Sequence, residues 1–248
     1  MLPALDPKEA MTKAIIGRGV SITFLGHSAF KLSAPGVAVL IDPWLSNPLH
    51  QTPLDQVGQV DLILVTHGHG DHVGDTVPLA RKTGAAVVAI HELAQILADQ
   101  GVPRVVGMNK GGTLDVAGLK ITMTQAIHSS TMEVEGKMVA AGEPGGFIVV
   151  FANGFTAYHA GDTAVFGDME LIRELYHPEL AMLPIGSHYV MSPREAALAC
   201  RLLRPKWVIP MHYRTFPVLT GTPQELRDLL KGEPEIRVIE LEPGETVE

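Results

Sequence analysis

The stretch Asp61-Leu62-Ile63-Leu64-Val65-Thr66-His67-Gly68-His69-Gly70-Asp71-His72 joins two unlike pieces of chain. Leu62 to Val65 is an unbroken apolar run of the length of a buried strand. His67, His69, Asp71 and His72 then place four metal-ligand side chains within six residues, a dense supply of imidazole and carboxylate at a strand end. Gly68 and Gly70 alternate with them, which allows the backbone to turn so that His67 and His69 face one ion while Asp71 and His72 face another.

Before this stretch, Ile22 to Leu25 and Val37 to Ile41 are short apolar runs bounded by Gly, Ser and Pro, and both read as strands. After it come a helix around Val77 to Thr83, a strand at Ala85 to Ile90 and a helix from Glu92 to Gln100 ended by Gly101, which is βαβα order. From Gly107 to His128 the pattern predicts antiparallel hairpins with turns at Gly111-Gly112 and Ala117-Gly118. Phe147 to Phe151 and Phe155 to Ala160 flank Asn153-Gly154, a two-residue hairpin signal. Helices follow at Met169–Leu175, Pro193–Leu203 and Pro223–Leu230, alternating with strands at Leu180–Pro184 and Trp207–Pro210, and Ile236 to Leu241 closes the sheet. Both halves run from hairpins to alternating strand and helix, the pattern of a diverged repeat. Residues 1–19 read as a leader, and no linker divides the rest, so the 248 residues are expected to form one α/β domain.

The chain is 46% apolar and 19% charged, the balance of a globular protein rather than a disordered or fibrous one. Its formal charge of −8 disfavours a sequence-independent grip on nucleic acid, which depends on Lys and Arg displacing counterions from phosphate. No run approaches the roughly 18 apolar residues that span a bilayer. The start, with Asp6 and Glu9, does not read as a secretory signal. Cys200 is the sole cysteine, so no intrachain disulfide can form and the cytoplasm is the expected compartment. Set among Ala196, Ala197, Leu198 and Leu202, it reads as buried core rather than as a nucleophile.

His-x-His-x-Asp-His after a core strand resembles the signature of the metallo-β-lactamase superfamily, and His67, His69, Asp71 and His72 match it fully. Thr23-Phe24-Leu25-Gly26-His27-Ser28, Ile41-Asp42-Pro43, Met108-Asn109-Lys110-Gly111-Gly112, His159-Ala160-Gly161-Asp162-Thr163 and Pro210-Met211-His212-Tyr213 narrow the likeness. They resemble the small metal-dependent hydrolase branch, similar to ascorbate-6-phosphate lactonases and to an N-acylphosphatidylethanolamine phosphodiesterase, over residues 20–242. The resemblance implies a four-layer αββα sandwich with two mixed sheets flanked by helices. It also implies two divalent cations, zinc by first choice with manganese, nickel or iron able to replace it. His67, His69 and His128 with Asp162 would hold one, and Asp71, His72 and His212 with Asp162 the other. Five neutral imidazoles and two carboxylates around two such ions leave a net charge of about +2, which suits a small anionic or ester-like substrate.

The implied chemistry is hydrolysis of a lactone or a phosphodiester by a metal-bridging hydroxide, with Asp71 steering the proton. His188, after the strand ending at Pro184, is the candidate for binding substrate or a developing oxyanion. His27 is a candidate pocket wall or partner of a ligand, His159 reads equally as a residue orienting Asp162 or as a buried structural one, and Asp42 is a candidate acceptor for a ligand imidazole. Trp44 and Leu45 are candidate walls, and His50, His91 and His177 read as surface or capping residues. Two other classes compete with hydrolysis. A di-iron redox enzyme shares the fold, but His69 stands where such proteins place Glu and no flavin domain follows. A non-catalytic module would use the ions only for folding and leave no open coordination position. Nuclease relatives add an RNA-binding arm or an inserted domain for which this chain has little room. Relatives often assemble, so a homo-oligomer is expected, although the low aromatic content marks no interface.

Overall fold

The computed structural model describes residues 16–248. The leader expected over residues 1–19 lies outside the described residues as far as residue 15. From there on the chain is already core, since Ile16 and Val20 are fully buried.

A first sheet is built from β1 (Ser21–Gly26), β2 (Ala29–Ala34), β3 (Val37–Ile41), β4 (Leu62–Leu64), β5 (Ala86–Ile90) and β6 (Val105–Met108). Between β4 and β6 come the short helix α1 (Gly70–Val73), α2 (Thr76–Thr83) and α3 (His91–Asp99). The chain then passes into a second sheet through β7 (Thr113–Val116) and β8 (Leu119–Gln125). A separate hairpin, β9 (Thr131–Val134) and β10 (Lys137–Ala140), precedes β11 (Gly145–Val150) and β12 (Thr156–His159). The helices α4 (Met169–Tyr176), α5 (Pro193–Leu203) and α6 (Pro223–Leu229) alternate with β13 (Leu180–Pro184), β14 (Trp207–Met211) and β15 (Arg237–Val238). Finally β16 (Thr246–Val247) returns to pair with β1.

The first sheet has the order β16-β1-β2-β3-β4-β5-β6 and the second β15-β14-β13-β12-β11-β8-β7. In each, three antiparallel pairings are followed across the sheet by three parallel ones. The parallel strands are buried on both faces, which is why β3, β4 and β5 are continuous apolar runs without polar alternation. In the second sheet successive residues serve different layers. Phe147, Val149, Ala157, Leu180, Met182 and Ile209 face the core shared with the first sheet, while Ile148, Tyr158, Ala181, Leu183 and Val208 pack under α4, α5 and α6. The result is the expected four-layer αββα sandwich. Each fully buried Val, Leu or Ile in it contributes roughly 1.5–3 kcal/mol. The helix starts are written in the sequence, since Ser192 with Glu195 and Thr222 with Glu225 close capping boxes ahead of Pro193 and Pro223.

Two local expectations change. Gly111-Gly112 is not a hairpin turn but part of the passage between sheets, because β6 belongs to the first sheet and β7 to the second. The closing strand at Ile236 to Leu241 contracts to Arg237–Val238, and β16 takes the far edge of the other sheet. Two elements had no strong pattern. β2 carries Lys31 and Ser33 among its apolar residues, and the β9–β10 hairpin is only partly buried.

Candidate metal centre

The parallel pairing of β3 with β4 sets Ile41 opposite Leu64, so the residues just beyond both strands come together in the core. Asp42, at φ +47°, is fully buried there and accepts three hydrogen bonds. Its Oδ1 takes the Thr66 backbone N–H at 2.8 Å, and its Oδ2 takes the Thr66 hydroxyl at 2.7 Å and His72 Nδ1 at 2.8 Å. Thr66 has one hydroxyl proton and gives it to Asp42, so its oxygen must accept from His67 Nδ1, 3.0 Å away. One carboxylate therefore orients two imidazoles, His72 directly and His67 by way of Thr66, and turns Nε2 of each toward the centre.

The turn after His67 is held by packing. A Cβ on Gly68 would stand 2.5 Å from the Ala141 Cβ and 3.0 Å from the Thr131 carbonyl oxygen, and the Gly68 N–H donates to Ser130 Oγ at 3.1 Å. The β9–β10 hairpin thus forms the wall against which the ligand turn is pressed. Gly70 does not take the part expected of it, since its φ is not positive and an added Cβ would meet nothing within 4 Å. The turn leads into α1, with Asp71 in its first turn and His72 buried in its last.

From the second sheet, His128 follows β8, Asp162 follows β12 and His212 follows β14. The structure brings all three to the His67–His72 turn. Asp162 Oδ2 lies 3.0 Å from His212 Nε2, 3.3 Å from His72 Nε2 and 3.6 Å from His128 Nε2. His67 Nε2 stands 3.0 Å from His69 Nδ1. Within 4.8 Å of one another lie donor atoms of His67, His69 and His128, of His67, His72 and Asp162, and of His27, Asp71, His72 and His212. Gly161 makes the approach of Asp162 possible, with φ +62° and no room for a Cβ, which would sit 2.7 Å from the Gly145 carbonyl oxygen.

Burial pushes the imidazoles of His67, His69 and His128 below their ordinary pKa, keeping them neutral and available as ligands. Burial opposes charge on His72 and Asp162 as well, but their neighbours prevail. The Asp162 and Asp42 carboxylates hold His72 well above the usual imidazole value, and His212 and His72 hold Asp162 well below the carboxylate range. Burial likewise opposes charge on Asp71, yet the His27 hydrogen bond and His72 keep it ionised. His72 Nε2, Asp162 Oδ1 and His212 Nδ1 are buried without a hydrogen-bond partner. Buried polar atoms left in this way are costly, and a nitrogen and oxygen donor set of this kind fits a divalent cation of zinc type.

The other candidates are placed as follows. His27 is fully buried in the β1–β2 turn, with Nδ1 2.8 Å from Thr215 Oγ1 and Nε2 3.1 Å from Asp71 Oδ2, and burial lowers its pKa to about 4. His159 makes no hydrogen bond to Asp162. Its Nε2 meets the Ser28 carbonyl at 2.9 Å and its Nδ1 accepts the Gly161 N–H at 3.2 Å, so it braces the turn instead of the carboxylate. Trp44 packs edge-on to His27 and stacks with Phe216, behind the centre, and Leu45 is buried. His177 caps α4 in left-handed conformation. Cys200 is fully buried, and burial pushes its thiol up to about 12. His188 is exposed with its ring against Tyr189.

His69, Asp71, His128, Asp162 and His212 open onto a cavity of about 310 Å³ whose remaining lining is Ser129 and Tyr189. The sequence reading missed Tyr189, Thr215 and the orienting role of Thr66. Thr66 had a signal in its place between strand and ligand turn, but Tyr189 and Thr215 had none. No helix among the described residues is long and apolar enough to cross a membrane.

The family model described as "Beta-lactamase superfamily domain" matches residues 38–213, more than half of the chain. A UPF0173 metal-dependent hydrolase of Rubrobacter xylanophilus is 52% identical over 239 residues, which is 95% of this chain and 98% of that one. Another from Methanopyrus kandleri is 50% identical over 229 residues, 92% and 99% of the two chains. Among solved structures, a metallo hydrolase from the hyperthermophilic archaeon Ignicoccus hospitalis superposes with a TM-score of 0.84 at 42% identity, covering 92% of this chain and 97% of its own.

Proposed function

The chain belongs to the beta-lactamase superfamily and is a metal-dependent hydrolase, and from that premise we propose that it cleaves an ester-like bond, a lactone or a phosphodiester, at a centre of two divalent cations. His67, His69, His128 and Asp162 would hold one ion and Asp71, His72, His212 and Asp162 the other, with zinc the first choice and manganese, nickel or iron able to serve. The observation that carries this reading is the single oxygen Asp162 Oδ2 facing Nε2 atoms of three histidines from different strand ends, 3.0 to 3.6 Å away. Bound cations of this kind supply a water ionised near neutral pH and an electrophile for the substrate oxygen.

The residues of the chain do the rest. Asp71, about a quarter exposed and held ionised, stands at the cavity, where it would steer the proton released on attack. Ser129 offers a hydroxyl to the substrate, and Tyr189 flanks it with an exposed ring. His188, beside that ring, would reach the outer part of the substrate or the charge that develops on it. The substrate is then a small molecule. We place the reaction in the cytoplasm, in keeping with the lone buried thiol, in a chain acting as one domain and assembling as a homo-oligomer.

Metal-loaded protein and its Asp71→Ala and His67→Ala variants should be assayed on a panel of lactones and phosphodiesters. One class should be turned over by the parent, with both variants reduced at least about 100-fold. Equal turnover by all three proteins would end the proposal.

A further inference from the structure

We propose that His27 is an additional ligand of the second cation, joining Asp71, His72, His212 and Asp162, and so rests on the two-cation reading above. No residue pattern in the ligand turn names it, because it comes from the β1–β2 hairpin forty residues earlier in the chain.

Three observations carry it. The first is position. A donor atom of His27 lies within 4.8 Å of one from each of Asp71, His72 and His212, and Nε2 is the atom that faces the centre, 3.1 Å from Asp71 Oδ2. Its ring centroid is 4.0 Å from that of His212 and 5.6 Å from that of His72.

The second is proton placement. Thr215 Oγ1 lies 2.8 Å from His27 Nδ1 and has the Tyr213 carbonyl at 3.4 Å as acceptor for its own proton. The atoms are set out as in His67–Thr66–Asp42, an arrangement that would let an imidazole Nδ1–H give to the threonine hydroxyl and the hydroxyl give onward. In the metal-free site Nε2–H donates to Asp71 Oδ2; with a cation against Nε2 the imidazole would carry its proton on Nδ1, where Thr215 Oγ1 is placed to accept it. Nε2 and Asp71 Oδ2 would then both present lone pairs to the cation, as neighbouring ligand atoms do.

The third is rigidity. His27 sits at φ +54°, a conformation that a residue with a side chain rarely adopts, and its carbonyl accepts the His212 N–H at 2.8 Å. The backbone of one proposed ligand is thereby tied to that of another, and the His27 side chain is fully buried.

The consequence is asymmetry. Five protein donors would surround the second cation and four the first, so the first is the one left with room for substrate.

The test is equilibrium binding of Zn²⁺ by competition with a chromophoric chelator, together with the visible absorption of the Co²⁺ form. It compares the parent with His27→Ala, His27→Gln and Thr215→Val. The parent should bind two equivalents. Both His27 variants should lose at least about 100-fold in one binding step, leave the other unchanged and shift the Co²⁺ bands of the weakened step. Thr215→Val, which keeps the imidazole and removes only its partner, should weaken the same step by about 10-fold. His27→Gln can still donate to Asp71, so restored binding in that variant would make His27 a positioning residue and overturn the proposal. Unchanged binding in both His27 variants would overturn it too. Should those variants fail to fold, an unaltered step in Thr215→Val would do the same. A parent that binds fewer than two equivalents would instead remove the two-cation reading, and this inference with it.

Discussion

The first sheet turns His67, His69, Asp71 and His72 toward the centre from one strand end, whereas the second sheet delivers His128, Asp162 and His212 singly from three. The means of holding them differ as well. On the first side the imidazoles are aimed by side chains, through the Asp42–Thr66 pair that engages Nδ1 of both His67 and His72. On the second side aim comes from the backbone. Asp162 follows Gly161 at φ +62°, and His212 itself sits at φ +54° with its Nδ1 unpartnered. Two sheets with the same order of pairings thus reach one centre by different devices. A hydrogen-bonded orienter can be deleted without moving the backbone, while a backbone-set residue can be displaced only by changing its turn.

The sharpest break of this contrast is Asp42→Ala against Asp162→Asn. Asp42→Ala strands three buried donors, the Thr66 N–H, the Thr66 hydroxyl and His72 Nδ1. At roughly 1–3 kcal/mol for each orphaned group, the metal-free protein should lose about 3 kcal/mol or more, and metal affinity should fall 10–100-fold. Asp162 has one oxygen with no hydrogen-bond partner. Asp162→Asn should therefore destabilise the metal-free fold less than Asp42→Ala does, while weakening metal binding more. Urea unfolding of the metal-free proteins and chelator competition would measure both, and the reverse ranking would show that the two carboxylates do not divide the work in this way.

Next in size is Gly161→Ala. A non-glycine residue at φ +62° costs about 1–2 kcal/mol, and the new Cβ would press on the Gly145 carbonyl oxygen at 2.7 Å and on the Thr66 Cβ at 3.0 Å. Stability should fall by about 2 kcal/mol, and metal affinity should fall too, because relief of the contact moves Asp162. Unfolding curves and metal content after dialysis would check it. Full metal occupancy would mean that the turn at Asp162 tolerates adjustment.

What the sequence made legible follows the same division. The parallel strands are continuous apolar runs because they are buried on both faces, and the His67–His72 cluster is dense because one strand end supplies all of it. Both facts are local and can be read from neighbouring residues. His128, Asp162 and His212 lie 34 to 50 residues apart along the chain, and only likeness to a known signature connected them. β2 was hidden by Lys31 and Ser33, and β16 by its length of two residues paired with a strand more than 200 positions away. Gly70 was overread, since alternation with ligands looks the same whether a glycine is needed for its φ, for a close neighbour as at Gly68, or for neither. His159 stayed open in the sequence between orienting Asp162 and a buried structural role, because nearness to Asp162 says nothing of which way the ring points.

His159 also joins the two sheets, bonding the Ser28 carbonyl on one side and the Gly161 N–H on the other, and burial lowers its pKa. A histidine depressed on folding binds fewer protons in the native than in the unfolded chain between its two pKa values. Its contribution is therefore complete above the unfolded value of about 6.5 and declines as pH falls below it. One such group can add at most about 1.4 kcal/mol of lost stability per pH unit. In His159→Gln the metal-free protein should show a shallower loss between about pH 6.5 and 5 than the parent. Denaturation midpoints across that range would show it, and parallel curves would mean that the ring is protonated in the fold.

The smallest effect expected separates packing from conformation in the ligand turn itself. Gly70→Ala adds a methyl group that meets nothing within 4 Å, at a residue whose φ is not positive, on the exposed start of α1. Reducing the freedom of the unfolded chain at such a position stabilises by about 0.4–1 kcal/mol. The same substitution two residues earlier, Gly68→Ala, drives its Cβ to 2.5 Å from Ala141 and toward the backbone of Thr131. Thermal melting should place Gly70→Ala at or slightly above the parent and Gly68→Ala well below it. If both fall together, the turn is shaped by glycine flexibility after all, and the β9–β10 hairpin is not the wall that sets it.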